Sequence, residues 1–125
     1  MDVWTYFEQR ERECEAMSLS PTSLVFAEEA GSEGRRGKIL GHVHFDEDVY
    51  LEVSETVVVV GKHIRRIDYA YFFIIEGEAA WGFERDPTHD PPVHAHGIGH
   101  TRIPSGPVAF KKALEFGWHE VALRR

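Results

Sequence analysis

The stretch that decides the fold is residues 64–75, IRRIDYAYFFII, which carries the strongest strand signal in the chain. Aromatic and β-branched residues dominate it, and such residues are enriched in β-strands. The turn residues Glu76, Gly77 and Glu78 follow, and residues 79–85 then supply a second strand. So short a connection joins antiparallel strands, since parallel strands need a long crossover. We therefore expect an antiparallel hairpin.

The residues before this hairpin predict further strands of the same sheet. From residue 38, hydrophobic and polar residues alternate up to the polar turn at residues 46–48 and again up to residue 53, which is typical of a hairpin. The β-branched residues 56–60 either form a separate buried strand or continue the preceding one past a bulge. Residues 24–27 predict a short additional strand. Consecutive strands with short turns favour an antiparallel meander.

Helices are predicted at both ends of the chain. Residues 2–17 have an amphipathic pattern, and Asp2 can cap the N-terminus of that helix. Pro107 suits the first position of a second helix. This helix either continues to the end of the pattern or stops at Gly117 and leaves residues 118–123 as a last strand. We prefer the shorter helix, because glycine in a helix interior costs about 1 kcal/mol.

Together these elements predict one domain over residues 1–125. The fold class is α+β: an antiparallel meander of about four to six strands packed with an N-terminal and a C-terminal helix. The single cysteine, Cys14, excludes an intrachain disulfide and is expected to be an apolar packing residue. No apolar run is long enough to span a bilayer, and the N-terminus lacks a signal-peptide pattern, so we expect a cytoplasmic protein.

The charge pattern argues against a general nucleic-acid binder. The net charge is −7, whereas such binders carry basic surfaces. Residues 1–30 hold seven acidic and two basic residues, a net charge of −5, so the rest of the chain carries only −2. This distribution leaves room for a local basic pocket but not for an extended basic groove.

The candidate functional segment is residues 86–100, DPTHDPPVHAHGIGH, which holds four of the eight histidines. A loop of this length without regular structure is unusual in a compact domain and tends to be functional. Histidine can transfer protons near neutral pH and can ligate metals as the neutral imidazole. The segment therefore predicts an acid–base site or a metal site, and a polar surface loop is the alternative.

For acid–base chemistry, the preceding long strand supplies the supporting side chains. Strand alternation puts Arg65, Tyr69 and Tyr71 on one face, and Arg66 and Asp68 on the other. We expect the first set at the site, because two tyrosines flanking an arginine suit a stacked base and a phosphate. The alternatives are core positions for the tyrosines and a solvated sheet edge or an ion pair with Asp68 for the arginines.

A metal site is the second interpretation. On an extended backbone His94 and His96 point to the same face, and zinc or a similar divalent ion accepts such ligands. The same spacing recurs at His42 and His44, where either an exposed sheet face or a ligand role is open. Further ligands are available within the loop from His89, His100, Asp86 and Asp90, and the predicted metal set is His94, His96 and His100.

Three segments of the chain resemble a known family. They are residues 65–71 (RRIDYAY), 81–89 (WGFERDPTH) and 92–96 (PVHAH). They resemble the TumE-type toxins of bacterial and archaeal toxin–antitoxin pairs, over about residues 64–116. The resemblance implies a toxin-like protein that acts on RNA as a ribonuclease and is neutralised by an antitoxin protein.

The resemblance also implies a set of site residues. In a metal-independent ribonuclease mechanism, His94 or His96 takes the 2′-hydroxyl proton, and the other histidine, or His89, protonates the leaving oxygen. Arg65 or Arg85 holds the phosphate. The full set that the resemblance implies is Arg65, Tyr69, Arg85, Asp86, His89, His94 and His96.

Two other interpretations stay open. A small cupin-like metalloprotein would use His94 and His96 as ligands, although the glutamate usual after such a pair is missing. A non-enzymatic binding module would instead pair its acidic first helix and a strand edge at residues 57–60 with another chain, or with a second copy in a homodimer.

Overall fold

The computed structural model describes residues 2–88, 92–97, 102–104 and 106–124. Two helices flank a continuous series of strands. In chain order the elements are α1 (Val3–Ala16), β1 (Ser23–Glu28), β2 (Arg36–His44), β3 (Val49–Val60), β4 (His63–Ile75), β5 (Glu78–Arg85), β6 (Val93–His96), β7 (Arg102–Pro104) and α2 (Phe110–Leu123).

The strands form one antiparallel sheet in which each strand pairs with its neighbours in sequence. The predicted α+β class, with an antiparallel meander and a helix at each end, is confirmed. The described part of the sheet has seven strands, one more than the upper limit of the prediction. The prediction of an irregular loop over residues 86–100 is wrong at β6, because alternating Val-His-Ala-His residues add a strand to the edge of β5.

Both helices pack on one side of the sheet, which we call the covered face. Phe7 of α1 packs on Phe26 of β1, with ring centroids 5.2 Å apart. Phe116 of α2 packs on Trp81 of β5 at 5.6 Å. These contacts build one hydrophobic core between the helices and the sheet. We call the opposite side of the sheet the open face.

A bulge in β4 changes which side chains share a face. Thr56 pairs with Asp68, and Val57 pairs with Arg66, so Ile67 is an extra residue without a partner in β3. β3 continues past this irregularity, which confirms the interpretation of its β-branched end as a continuation past a bulge. An extra residue reverses the alternation of side chains. The residues of β4 before the bulge therefore lie on the face opposite to the one that strict alternation along the strand predicts.

The predicted strand edge at residues 57–60 is paired on both sides in its first half. Val57 pairs with Gly37 of β2 on one side and with Arg66 of β4 on the other. A backbone that is hydrogen-bonded on both sides cannot add a strand from another chain. The prediction of a free strand edge is therefore wrong at Val57 and Val58, and pairing of the protein with a partner chain or a second copy stays a prediction.

The second helix differs from the shorter helix that we preferred. It begins at Phe110, after Pro107, and continues through Gly117, so the prediction of a strand over residues 118–123 is wrong. A Cβ at Gly117 would lie 2.0 Å from Cζ of Phe45. The glycine therefore lets the helix approach the Phe45 ring closely, and this packing offsets the unfavourable helix propensity of glycine.

The first helix agrees with its sequence signals. Asp2 Oδ1 accepts a hydrogen bond from the Thr5 backbone N–H at 3.0 Å, which confirms the N-cap. Cys14 is 1 % exposed, which confirms its packing role. The indole Nε1 of Trp118 in α2 donates to the carbonyl of Met17 at 3.0 Å and joins the two helices. Neither helix in the described ranges has the length and apolar character that crossing a bilayer requires.

Candidate metal centre

The histidines of β6 face a carboxylate of β5 on the open face of the sheet. Glu84 pairs with His94, and Gly82 pairs with His96. Residues two apart in a strand point to the same side. These four positions therefore form the corners of a square, with ligand-type side chains at three corners and a glycine at the fourth.

We call Glu84, His94 and His96 the Glu84 cluster. His94 Nε2 lies 3.5 Å from Glu84 Oε1, and His96 Nε2 lies 3.6 Å from Glu84 Oε2. The two Nε2 atoms are 2.8 Å apart. One candidate ligand atom from each residue lies within 4.8 Å of the others. Three atoms that can donate electron pairs thus converge on one point.

The Glu84 cluster is largely shielded from solvent. The side chain of His94 is 0 % exposed, that of His96 is 12 % exposed and that of Glu84 is 15 % exposed. A contact of this length between two imidazole nitrogens is a hydrogen bond only if one ring donates and the other accepts. At least one Nε2 therefore carries no proton, and this is the form of histidine that binds metals.

The geometry of the cluster fits a small divalent ion. Two imidazoles and one carboxylate are a ligand set used by zinc and by other transition metals. Metal–ligand distances of about 2.0–2.1 Å in a tetrahedral site separate neighbouring ligand atoms by roughly 3.3 Å. The two Nε2 atoms are 2.8 Å apart, and each lies 3.5 or 3.6 Å from a different oxygen of Glu84. One ligand atom from each residue lies within 4.8 Å of the others, so small side-chain rotations would be needed to reach tetrahedral spacing.

A cleft of about 360 Å³ adjoins the cluster and shares Glu84 with it. Small side chains next to Glu84 leave the space that forms the cleft. Ala70 pairs with Glu84, and Ser54 pairs in turn with Ala70. The cleft therefore gives a small molecule access to the neighbourhood of the cluster. The charged side chains that line it are Asp68, Glu84, Asp86 and Arg85.

The structure brings together part of the predicted site. His94 and His96 lie side by side as expected, and Glu84 joins them. The alternation in β5 could have identified Glu84 if the Val-His-Ala-His segment had been predicted as the neighbouring strand. The other predicted metal ligands of the loop, His89, Asp90 and His100, lie outside the described residues.

The predicted grouping of Arg65 with Tyr69 and Tyr71 is wrong. Because Ile67 is an extra residue, Arg66 takes the place expected for Arg65. The Arg66 guanidinium lies 4.2 Å from the Tyr69 ring centroid and donates to the Tyr71 hydroxyl at 3.0 Å. Arg65 is exposed. Tyr69 is 2 % exposed and stacks on Tyr71 in the core, which confirms the alternative prediction of core tyrosines.

Arg85 and Asp86 lie beside the Glu84 cluster and not within it. Arg85 Nε donates to the carbonyl of Ile67 at 3.3 Å. Asp86 Oδ1 accepts hydrogen bonds from the backbone N–H of Thr88 at 2.9 Å and from its hydroxyl at 2.7 Å. Both residues line the cleft beside Glu84.

The second His-x-His pair lies elsewhere on the open face. The rings of His42 and His44 pack against Tyr50, with centroids 4.8 and 4.9 Å away. His44 is exposed and His42 is half-buried. This pair therefore has the spacing of His94 and His96 without their position beside Glu84.

A second polar cluster, the Glu55 cluster, lies inside the covered face. Glu55 is 0 % exposed, and its Oε1 accepts hydrogen bonds from the hydroxyls of Tyr71 and, at 3.0 Å, Tyr6. Arg66 Nη1 lies 3.8 Å from the same oxygen. Burial raises the pKa of the Glu55 carboxyl, although the Tyr71 hydrogen bond and the Arg66 charge oppose this shift. Burial and the charge of Glu55 also raise the pKa of Tyr71.

The Glu55 cluster is connected to the segment just before α2. Arg66 Nη1 donates to the carbonyl of Val108 at 2.6 Å, and the Tyr69 hydroxyl accepts from the Val108 N–H at 3.1 Å. The N-cap residue of α2, Ala109, supplies no side-chain cap. The two side chains of β4 therefore fix the chain where the helix begins.

Comparisons with protein-family models, with curated proteins and with solved structures found no match. The resemblance to TumE-type toxins, the ribonuclease activity and the antitoxin partner therefore stay predictions. Function is argued below from the geometry of the Glu84 cluster.

Proposed function

We propose that the protein binds a divalent transition-metal ion of the zinc class through Glu84, His94 and His96. The observation that supports this most directly is the convergence of a carboxylate oxygen and two imidazole nitrogens within 4.8 Å. Burial of His94 adds support, because the neutral imidazole is both the form that tolerates burial and the form that binds metal. The paired strands β5 and β6 supply all three ligands.

Three protein ligands leave a coordination position for water or substrate, as in catalytic zinc sites. A bound ion of this kind lowers the pKa of its water to about 7 and polarises carbonyl groups. The cleft beside Glu84 provides room for a substrate. We infer a metal-dependent hydrolytic function, in which Glu84, His94 and His96 hold the ion and the cleft positions the substrate.

The charge of the cleft favours a small neutral substrate. Among the described residues that line the cleft, the carboxylates of Asp68, Glu84 and Asp86 and the guanidinium of Arg85 give a net charge of −2. A divalent ion at Glu84 brings this charge to zero. A polyanion such as RNA gains little attraction from such a surface.

Calorimetric titration with Zn²⁺ tests the proposal. We expect one tightly bound ion per wild-type chain, and at least about 100-fold weaker binding in His94→Ala/His96→Ala, since even the loss of an outer-shell partner costs 10–100-fold. The matched control is His42→Ala/His44→Ala, which removes the same spacing from the same face and should keep the tight site. Absence of zinc binding by the wild type, or equal binding by the first double variant, would overturn the proposal.

A second candidate function is the metal-independent ribonuclease implied by the resemblance. The hydrogen-bonded pair His94–His96, with Glu84 beside both rings, supports it as an acid–base relay. Purified protein is incubated with bulk cellular RNA, with and without a strong chelator. Cleavage that survives the chelator and disappears in His94→Ala/His96→Ala would favour this candidate and an antitoxin partner. Cleavage that stops with the chelator would favour the metal proposal.

A further inference from the structure

The fourth corner of the Glu84 cluster is filled from a neighbouring strand. Gly82, at that corner, pairs with His96 in β6 and with Phe72 in β4. The ring of Phe72 contacts the ring of His96, with centroids 5.1 Å apart and planes at 52°. An aromatic side chain thus crosses one strand to reach a ligand on the next.

Gly82 makes this contact sterically feasible. A Cβ at Gly82 would lie 2.8 Å from Phe72 Cδ1 and 2.3 Å from the Tyr71 carbonyl oxygen. Its φ lies outside the left-handed region, so its backbone conformation does not require glycine. Close approach of the neighbouring strand and of the Phe72 ring explains the residue instead.

We infer that Phe72, lying across Gly82, is the positioning residue that orients the metal ligand His96, an inference that rests on the proposed metal function. The His96 ring contacts its proposed co-ligands His94 and Glu84 through Nε2, and the Phe72 ring contacts it from a strand that supplies no ligand. Packing against a rigid aromatic ring limits its rotation. The Phe72 ring also occupies the corner at Gly82, which lies next to Glu84 along β5 and diagonally opposite His94.

The substitution Phe72→Leu tests this role, since leucine keeps an apolar side chain and loses the flat ring. We expect Zn²⁺ to bind about 10-fold more weakly, the effect of losing an outer-shell partner. We also expect a changed visible absorption spectrum with Co²⁺, because the spectrum reports ligand geometry. Phe72→Tyr should restore both properties. The matched control is Tyr50→Leu, which removes another half-buried aromatic residue that packs on histidines.

A measurement without metal separates this inference from the metal proposal. In the metal-free wild type, nuclear Overhauser contacts should connect the Phe72 and His96 rings, and Phe72→Leu should change the pattern of contacts made by His96. If the wild type binds no metal, the metal proposal fails and the metal-free spectra alone decide whether Phe72 orients His96. Unchanged affinity, Co²⁺ spectrum and His96 contacts in Phe72→Leu would overturn the positioning role.

Discussion

Two glutamates on opposite faces of one sheet have opposite surroundings. Glu55, on the covered face, is bordered by hydrogen-bond donors: the hydroxyls of Tyr6 and Tyr71 and the guanidinium of Arg66. Glu84, on the open face, is bordered by two imidazoles and by a cleft. Both side chains are mostly buried, so burial alone does not distinguish a structural carboxylate from one that binds a ligand.

The difference lies in what the partners can do. Tyrosine and arginine can only donate hydrogen bonds to a carboxylate. At Glu55 both tyrosine hydroxyls donate to Oε1, and Oε2 accepts no hydrogen bond from the described residues. An imidazole can accept as well as donate, and two imidazoles beside a carboxylate present electron pairs that an ion can occupy. The Glu55 cluster is therefore a structural connection between α1 and the sheet, whereas the Glu84 cluster is the site at which we propose that a metal ion binds.

The largest expected effect comes from Glu55→Ala. This change removes the acceptor of the Tyr6 and Tyr71 hydroxyls and the carboxylate that pairs with the Arg66 guanidinium. Removing one partner of a buried ion pair costs about 3–5 kcal/mol. Urea denaturation should show this loss in the free energy of unfolding. Glu47→Ala, at an exposed turn position, is the control and should change stability by less than about 0.5 kcal/mol. A loss below about 1 kcal/mol in Glu55→Ala would contradict a structural role.

The next effect separates the two glutamates by their response to zinc. At a free Zn²⁺ concentration of 100 times Kd, the unfolding free energy of the wild type should rise by about 2.7 kcal/mol. Glu84→Ala should lose this rise, because it removes a ligand. Glu55→Gln should keep the zinc-dependent rise in unfolding free energy, because Glu55 lies on the covered face, away from the Glu84 cluster. Equal responses of the two variants would show that the sheet faces are not functionally distinct.

The smallest expected effect is a pH dependence specific to Glu55. Burial raises the pKa of the Glu55 carboxyl in the folded state above its ordinary value, so the folded protein holds this proton more tightly than the unfolded chain. The resulting stability is fully present below the unfolded pKa and is lost as the pH rises through the folded pKa. As the pH rises, the unfolding free energy of the wild type should fall relative to that of Glu55→Gln. The expected fall is about 1.4 kcal/mol for each unit between the folded-state and unfolded-state pKa of Glu55. Parallel stability curves between pH 4 and 8 would contradict the raised pKa.

Periodicity was sufficient to predict the centre of the sheet, from β2 to β5, but not β6 and β7. The alternation in β2 and β3 and the aromatic content of β4 predicted neighbouring antiparallel strands, because each strand pairs with the next in sequence. The end of α2 could not be predicted, since the suitability of Gly117 for a helix depends on the Phe45 ring that packs against it. Propensity describes a residue in isolation, and this contact is tertiary.

The candidate site was predicted only where local spacing was enough. His94 and His96 share a face because they are two residues apart in a strand. Glu84 required knowledge that β6 pairs with β5, and the face of Arg66 depended on one extra residue at Ile67. A bulge has no clear signature in the sequence. Alternation counted from Tyr69 therefore assigned the β4 residues before Ile67 to the wrong face.

The join between the helices has a consequence for the order of folding. Adjacent strands close short loops, whereas the hydrogen bond from Trp118 to Met17 spans 101 residues. Loop-closure entropy grows with separation, so near-neighbour pairings form at the lowest entropic cost. We expect β3 and β4 to belong to the folding nucleus and α1 to dock afterwards. Tyr6 should then show a low φ-value, and its contact with Glu55 should slow unfolding more than it speeds folding.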